Sequence, residues 1–305
     1  MAAIRLLMDN RVFILSGMVL ALVFGFDSDY TSTLLTVILM VMMTISLVDV
    51  RFDVSDLRTY RKDIVWSILS TFVINTSFTL LAGLFFLDDT ALWYGWIMLA
   101  IAPCAIACVS SAVYLNGDIK MAVIGLTMVY VTSMVITPVL SMVLIGDAVN
   151  PLEILKYIVL FVTVPFMFSI PLRRLGIKPI HKVIGINFIM FLMVTIGLGS
   201  RQDYILEHVG TSVWILFACV IRICVVSTAM VLLMRRLHVR REKAVVFNTM
   251  MYWKNSTMVA SLCMVLLGAT YPDATVPCVI SLIVETVWFS LMTRFTNRLW
   301  PEETR

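Results

Sequence analysis

Charge is what this sequence has least of. Of its 305 residues, 14% are charged and 61% are hydrophobic, whereas a soluble chain carries roughly 25% charged residues. That shortage excludes a water-soluble globule and leaves a polytopic membrane protein. Histidine is scarce as well. His181, His208 and His238 are scattered and show no metal-ligand spacing, so no metal centre and no cofactor is expected. The chain lacks a glycine-rich phosphate loop and a nucleophile–base pair, which argues against an enzyme. It has no stretch polar enough for a soluble domain. No small-residue cleavage site follows the short start at Met1 to Arg11, so no signal peptide is expected. The formal charge of +4 is spread over short loops rather than gathered into a patch, which excludes nucleic acid as a partner. Cys104, Cys108, Cys219, Cys224, Cys263 and Cys278 all lie in or beside apolar segments. They read as small buried residues rather than as a disulfide framework.

What the sequence does have is a succession of apolar runs. A membrane span needs about 20 apolar residues. The chain offers Val12–Phe26, Ser32–Val50, Ile64–Leu87, Ala91–Leu115, Met121–Ile145, Leu152–Leu172, Ile180–Leu198, Thr211–Met234, Ala244–Leu267 and Thr275–Leu299, ten spans joined by short connections. Loop charge orients them. With the N-terminus in the cytoplasm, all of the 23 basic residues except Lys156, Arg201, Arg222 and Lys254 fall on the cytoplasmic side. The opposite loops are acidic or neutral, as at Asp88-Asp89. The expectation is an all-α, integral, multi-pass protein of the cell inner membrane with both termini cytoplasmic. Its surroundings are the lipid bilayer, and a monomer is the starting assumption. Ten spans divide into two sets of five, residues 1–150 and 151–305. An odd number per set inserts the second set upside down relative to the first, as an inverted repeat.

Two spans are interrupted. In the fourth, Ala102-Pro103-Cys104 leads through Cys108, Ser110 and Ser111 to Asn116-Gly117-Asp118. Pro103 removes a backbone donor and clashes with the preceding turn. In lipid such a break survives only where protein or a water-filled cavity satisfies the freed groups. The ninth span breaks at Tyr252-Trp253-Lys254-Asn255-Ser256-Thr257. Interrupted spans at corresponding positions of two halves point to a transporter's midplane site. Pro103, Cys104, Cys108, Ser110, Ser111, Lys254, Asn255, Ser256 and Thr257 are therefore the candidate site residues. Asn75 joins them because it lies in span three at the depth that Arg222 holds in span eight.

Arg222, Lys254 and Glu285 sit far from span ends. Each would cost about 3 kcal/mol at a helix centre facing lipid, so all three should face the interior. Arg222 and Glu285 read equally well as a self-satisfied ion network. Lys254 occupies the crossover itself, where a fixed ammonium could hold broken helix ends together or carry a coupling proton. The three together leave one excess positive charge, which favours an anionic substrate attracted to Lys254 and Arg222. A half-helix N-terminus near Ser110-Ser111 would add donors. Cys104 and Cys108 lie one turn apart. Thiolates would suit a soft ion, although small packing residues are the plainer reading.

On these residues the chain resembles the bile acid:sodium symporter family and its wider superfamily, which includes the arsenite-efflux permeases. The stretch PCAIACVSSAVYLNGDIKMAVIGLTMVYVTSMVITP, from Pro103 to Pro138, is similar to the family's break, Gly-Asp turn and Thr-Pro helix end. Residues 248–268, NTMMYWKNSTMVASLCMVLLG, are similar to its second crossover. The resemblance implies a panel of spans 1, 2, 6 and 7 and a core of spans 3, 4, 5, 8, 9 and 10, with discontinuous helices 4 and 9 crossing. It also implies two sodium ions on oxygen ligands. Over those ligand positions this chain has Cys108 and Val109, Ala122 and Leu126, Met250 and Lys254. No carboxylate is supplied, so no dedicated sodium site is expected. The arsenite branch matches at Ala102-Pro103-Cys104 and at Val284-Glu285, while its crossover glutamate falls on Thr257. The expected function is secondary transport of a small organic anion by alternating access, with Lys254 in the place of a bound cation. The alternatives are a metalloid efflux permease using Cys104 and a membrane receptor that no longer transports.

Overall fold

The computed structural model describes residues 10–26, 28, 30–48, 54–146 and 149–299. The last residues of the expected second span, 49 and 50, lie outside them, as do the loop basics Arg5, Arg51 and Arg305. The described chain is helical almost throughout. In order it forms α1 (Asn10–Phe24), α2 (Thr31–Leu47), the short α3 (Val54–Thr59), α4 (Arg61–Phe86), α5 (Thr90–Ile101), α6 (Ala107–Tyr114) and α7 (Ile119–Leu144). Then follow α8 (Pro151–Arg174), α9 (Pro179–Gly199), the short α10 (Gln202–Glu207), α11 (Val209–Arg236), α12 (Arg241–Tyr252), α13 (Ser256–Leu266) and α14 (Val276–Leu299). Among the described residues six helices are long and apolar enough to cross a membrane, and α1, α2, α5 and α13 are shorter apolar helices. Helix is the natural form for such runs, because lipid offers the backbone no hydrogen-bond partner. The chain is an integral multi-pass membrane protein.

The order of elements repeats. Two helices, a short helix, a long helix, a broken pair and a further long helix run from α1 to α7, and the same series runs from α8 to α14. The long helices α4 and α11 are not regular. Each widens into a π-helical segment, at Ser70–Asn75 and Ile221–Val225 respectively. Each broken pair comes from one expected span.

The packing separates into two groups. Helices α1, α2, α8 and α9 lie mainly against one another. Helices α4, α5, α6, α7, α11, α12, α13 and α14 form the second group, and its interior is closely packed. At Gly95 on α5, an added Cβ would collide with the Ala274 carbonyl oxygen, so this contact between backbones admits no side chain. Trp96, Tyr252 and Lys254 are among the largest fully buried side chains.

Candidate functional site

The two breaks meet. Ala102 is extended (φ −68°, ψ 151°), as a residue before proline prefers to be, and the Pro103 ring prevents α5 from running on into α6. The second break has no proline. Trp253 is extended there (φ −96°, ψ 107°), and Asn255 restarts the helix by capping α13, accepting from the Met258 N–H at 3.3 Å. Between the breaks Cys104 and Lys254 form an antiparallel bridge. The Ala105 N–H donates to the Trp253 carbonyl at 3.1 Å, and the Asn255 N–H donates to the Pro103 carbonyl at 3.0 Å. Each unwound segment thus satisfies donors and acceptors that the other has freed.

The side chain of Lys254 turns back into the end of α5. Its Nζ donates to the carbonyls of Ala100 (2.7 Å), Ala102 (2.8 Å) and Thr71 (3.1 Å) and to Thr76 Oγ1 (3.2 Å). Thr76 Oγ1 spends its own hydrogen on the Ala100 carbonyl at 2.7 Å, so every oxygen around the amine is an acceptor. Only the ammonium form has three hydrogens to give. The face of Phe72 lies 5.9 Å away and adds a cation–π contact. The neighbouring Ile101 carbonyl accepts from Thr137 Oγ1 at 2.8 Å. A helix C-terminus leaves four carbonyls unsatisfied and partly negative, and here a lysine and two threonines take up those at the end of α5. The widened turn of α4 contributes Thr71 to this ring.

Arg222 performs the corresponding task at the end of α12. It projects from the widened turn of α11. Its Nη1 donates to Asn75 Oδ1 (3.1 Å), Thr79 Oγ1 (3.2 Å) and the Tyr252 carbonyl (3.4 Å). Its Nη2 donates to Ser281 Oγ (2.6 Å) and Glu285 Oε1 (2.8 Å). Glu285 in turn accepts from the backbone N–H of Lys254 (3.1 Å) and from Ser256 Oγ (2.7 Å). The carboxylate therefore stands at the start of α13, where the helix dipole favours a negative charge. Both members of the pair are buried, Arg222 at 2% exposure and Glu285 at 0%.

Pro103, Cys104, Lys254, Asn255 and Ser256 come together at the crossing, and Asn75, Arg222 and Glu285 converge beside it. Asn255 Nδ2 donates to the Tyr130 hydroxyl at 2.6 Å, and Thr257 Oγ1 donates to Asn255 Oδ1 at 3.0 Å. Cys104 and Cys108 are both fully buried. Ser111 does not join the network, because its hydroxyl donates back along its own helix to the Cys108 carbonyl at 2.8 Å. Ser110 lies on α6, but its side chain is outside the described part of the structure. Direct attraction of an anion by Lys254 does not fit the arrangement, since protein oxygens surround the ammonium completely. Thr71, Thr76, Thr79, Tyr130, Thr137 and Ser281 belong to the site and were not foreseen. A signal was present: Thr71, Asn75 and Thr79 fall four residues apart in an apolar run, which puts a polar stripe on one helix face. Ser281 and Glu285 repeat that spacing.

Ala122, Leu126 and Met250 bring hydrocarbon and thioether to the positions over oxygen ligands, and Cys108 brings a buried thiol. Comparison with curated proteins gives no match to the chain. Comparison with family models does. The sodium bile acid symporter family matches residues 36–208, a stretch that runs from α2 through the first break and on to the end of α10. With more than half of its length matched and the broken pair inside the match, the chain belongs to the sodium bile acid symporter family, whose members are membrane transporters.

Proposed function

We propose that the chain is a secondary transporter that moves a small organic anion by alternating access, with Lys254 serving as a resident cation where relatives bind a dissociable one. The observation that carries this reading is the ring of oxygens around Lys254 Nζ, three of them backbone carbonyls and all between 2.7 and 3.2 Å away. Such a ring resembles the coordination of a small monovalent ion, and the lysine fills it permanently. The repeated order of elements supports two inverted five-helix repeats, ten spans in all. The grouping of α1, α2, α8 and α9 supports a panel, set against a core that contains the crossing.

An anionic substrate is supported by charge. Arg222, Lys254 and Glu285 leave one unbalanced positive charge in the buried core. Three of the four helix ends at the crossing already have a resident partner of opposite sign: Lys254 at the end of α5, Arg222 at the end of α12 and Glu285 at the start of α13. The fourth, the start of α6, has no side-chain cap, and the helix dipole there favours a negative charge.

The test is uptake of labelled organic anions into proteoliposomes in sodium and in potassium media. Uptake should be equal in both and should be lost in Lys254→Met. Uptake that requires sodium, or that survives unchanged in Lys254→Met and Lys254→Gln, would falsify the resident-cation reading. Arsenite resistance conferred on cells by the parent, and abolished by Cys104→Ser, would replace the organic anion with a metalloid. Binding of an anion without flux under any gradient would make the chain a receptor.

A further inference from the structure

Helices α6 and α13 hold the same place in the repeated order of elements, yet they are covered very differently. From Ser256 to Cys263 every residue of α13 is buried. It packs on α5 and α14, and also on α2 and α8 from the other group of helices. Helix α6 packs on α7 and α12. Ile106 and Val109 are only half-buried, and Val113 and Tyr114 are 52% and 58% exposed. By the repeat, the helices that should stand to α6 as α2 and α8 stand to α13 are α9 and α1. Both of these pack on α14 instead.

A polar fastening lies at the corner where they do so. Arg201, just beyond α9, donates from Nε to Thr275 Oγ1 at 2.9 Å, beside the start of α14. The Thr275 hydroxyl gives its hydrogen to the Pro272 carbonyl at 3.0 Å, which leaves a lone pair for the guanidinium. Gln202 Nε2 donates to the Leu22 carbonyl at 2.9 Å, and the Phe26 N–H donates to the Gly199 carbonyl at 3.1 Å. These bonds tie α1 to the same corner. The Arg201 bond joins the α1–α2–α8–α9 group to the group containing the crossing. A small cleft between the two groups is lined by Leu35, Met193 and Gly197 on one side and by Thr257, Ala260 and Val279 on the other.

We infer that this structure is the half of the transport cycle that is closed over α13 and open over α6, and that Arg201 is the latch that holds it. In the other half, α9 and α1 cover the stripe Ile106, Val109 and Val113 on α6, while α13 comes away from α2 and α8. One rigid panel cannot cover both half-helices at once, so the two packings form a bistable pair. The latch is a charge-assisted hydrogen bond, strong enough to bias such a pair roughly tenfold. The inference rests on the alternating-access reading above.

Thiol labelling of the full chain in its membrane tests it without any substrate. Ala260→Cys and Val113→Cys are each treated with a membrane-impermeant maleimide, with the parent chain as the baseline for the native cysteines. With Arg201 present, the cysteine at 113 should react and the cysteine at 260 should be protected. Adding Arg201→Ala should raise labelling at 260 roughly tenfold and lower it at 113, and Arg201→Lys should restore much of the protection. Equal labelling at 260 with and without Arg201 would overturn the latch. So would a rise at both positions together, which reports loosening rather than exchange. Opposed changes in a protein that moves no anion would leave the latch standing and would count against the transport function alone.

Discussion

Lys254 and Arg222 show how two buried cations can be structural parts of a membrane protein. Each meets the carbonyl end of a broken helix, and each is surrounded by oxygen acceptors. Removing Lys254 strands the Ala102 carbonyl without a donor, while the Ala100 and Thr71 carbonyls keep the Thr76 hydroxyl. An unsatisfied buried polar group costs about 1–3 kcal/mol, so Lys254→Met should lower stability by about that amount, read as a fall in the detergent-solubilised melting temperature. Lys254→Ala leaves the oxygen ring intact and vacant. Methylammonium should then restore part of the lost melting temperature, while the parent protein should show no response. Arg222 and Glu285 make a different prediction. Breaking a buried pair at one member costs about 3–5 kcal/mol, whereas replacing both by apolar residues is often close to neutral. Arg222→Met and Glu285→Met should each be more damaging to thermal stability than the double substitution. An additive double variant would show that the 2.8 Å pair is not coupled.

At the scale of elements, the breaks follow from specific residues. Pro103 ends α5 chemically, and Asn255 restarts the second broken helix by capping α13. Loss of such a cap costs about 1 kcal/mol, so Asn255→Ala should lower the melting temperature modestly, and Asn255→Asp should preserve the cap. Gly95 provides a sharper test. Its α-carbon faces the Ala274 carbonyl so closely that Gly95→Val must push α5 away from the turn before α14. Overpacking of this kind costs about 1–3 kcal/mol, and little or no destabilisation would mean that the two backbones are not held so near. The breaks were legible because proline and a run of polar residues are local signals. The widened turns at Ser70–Asn75 and Ile221–Val225 were not. They are extra-residue turns; the Thr71 carbonyl of the first meets Lys254 and Thr76, the Asn75 and Arg222 side chains project from the two turns to meet each other, and no helical periodicity records such distant partners. The polar stripe Thr71, Asn75 and Thr79 was in plain view, and its use became evident only once Arg222 and Lys254 were seen to lie against it.

At the scale of the molecule, a resident cation at the crossing would make the fold indifferent to sodium. A ligand that binds only the folded state raises stability by mass action. With the ring around Lys254 already filled, exchanging sodium for potassium at constant ionic strength should leave the melting temperature unchanged. A selective rise in sodium would reveal a site that the donor set gives no reason to expect. The two groups of helices carry the second molecular feature, the unequal cover of α6 and α13. Composition is blind to this, because both half-helices have the character of ordinary interrupted spans.

The sequence by itself determined that the chain enters the membrane, where its apolar runs lie, where two of them break and which charges must face inward. Each of these follows from the transfer of residues from water to lipid, a cost that adds up locally along the chain. Only the tertiary structure decided what those charges do. Lys254 reaches a carbonyl of Ala100, 154 positions earlier in the chain, and Arg222 reaches Asn75, 147 positions earlier. A hydrogen bond requires two groups within about 3 Å of each other, and that proximity is a property of the packed helices, not of any stretch of sequence.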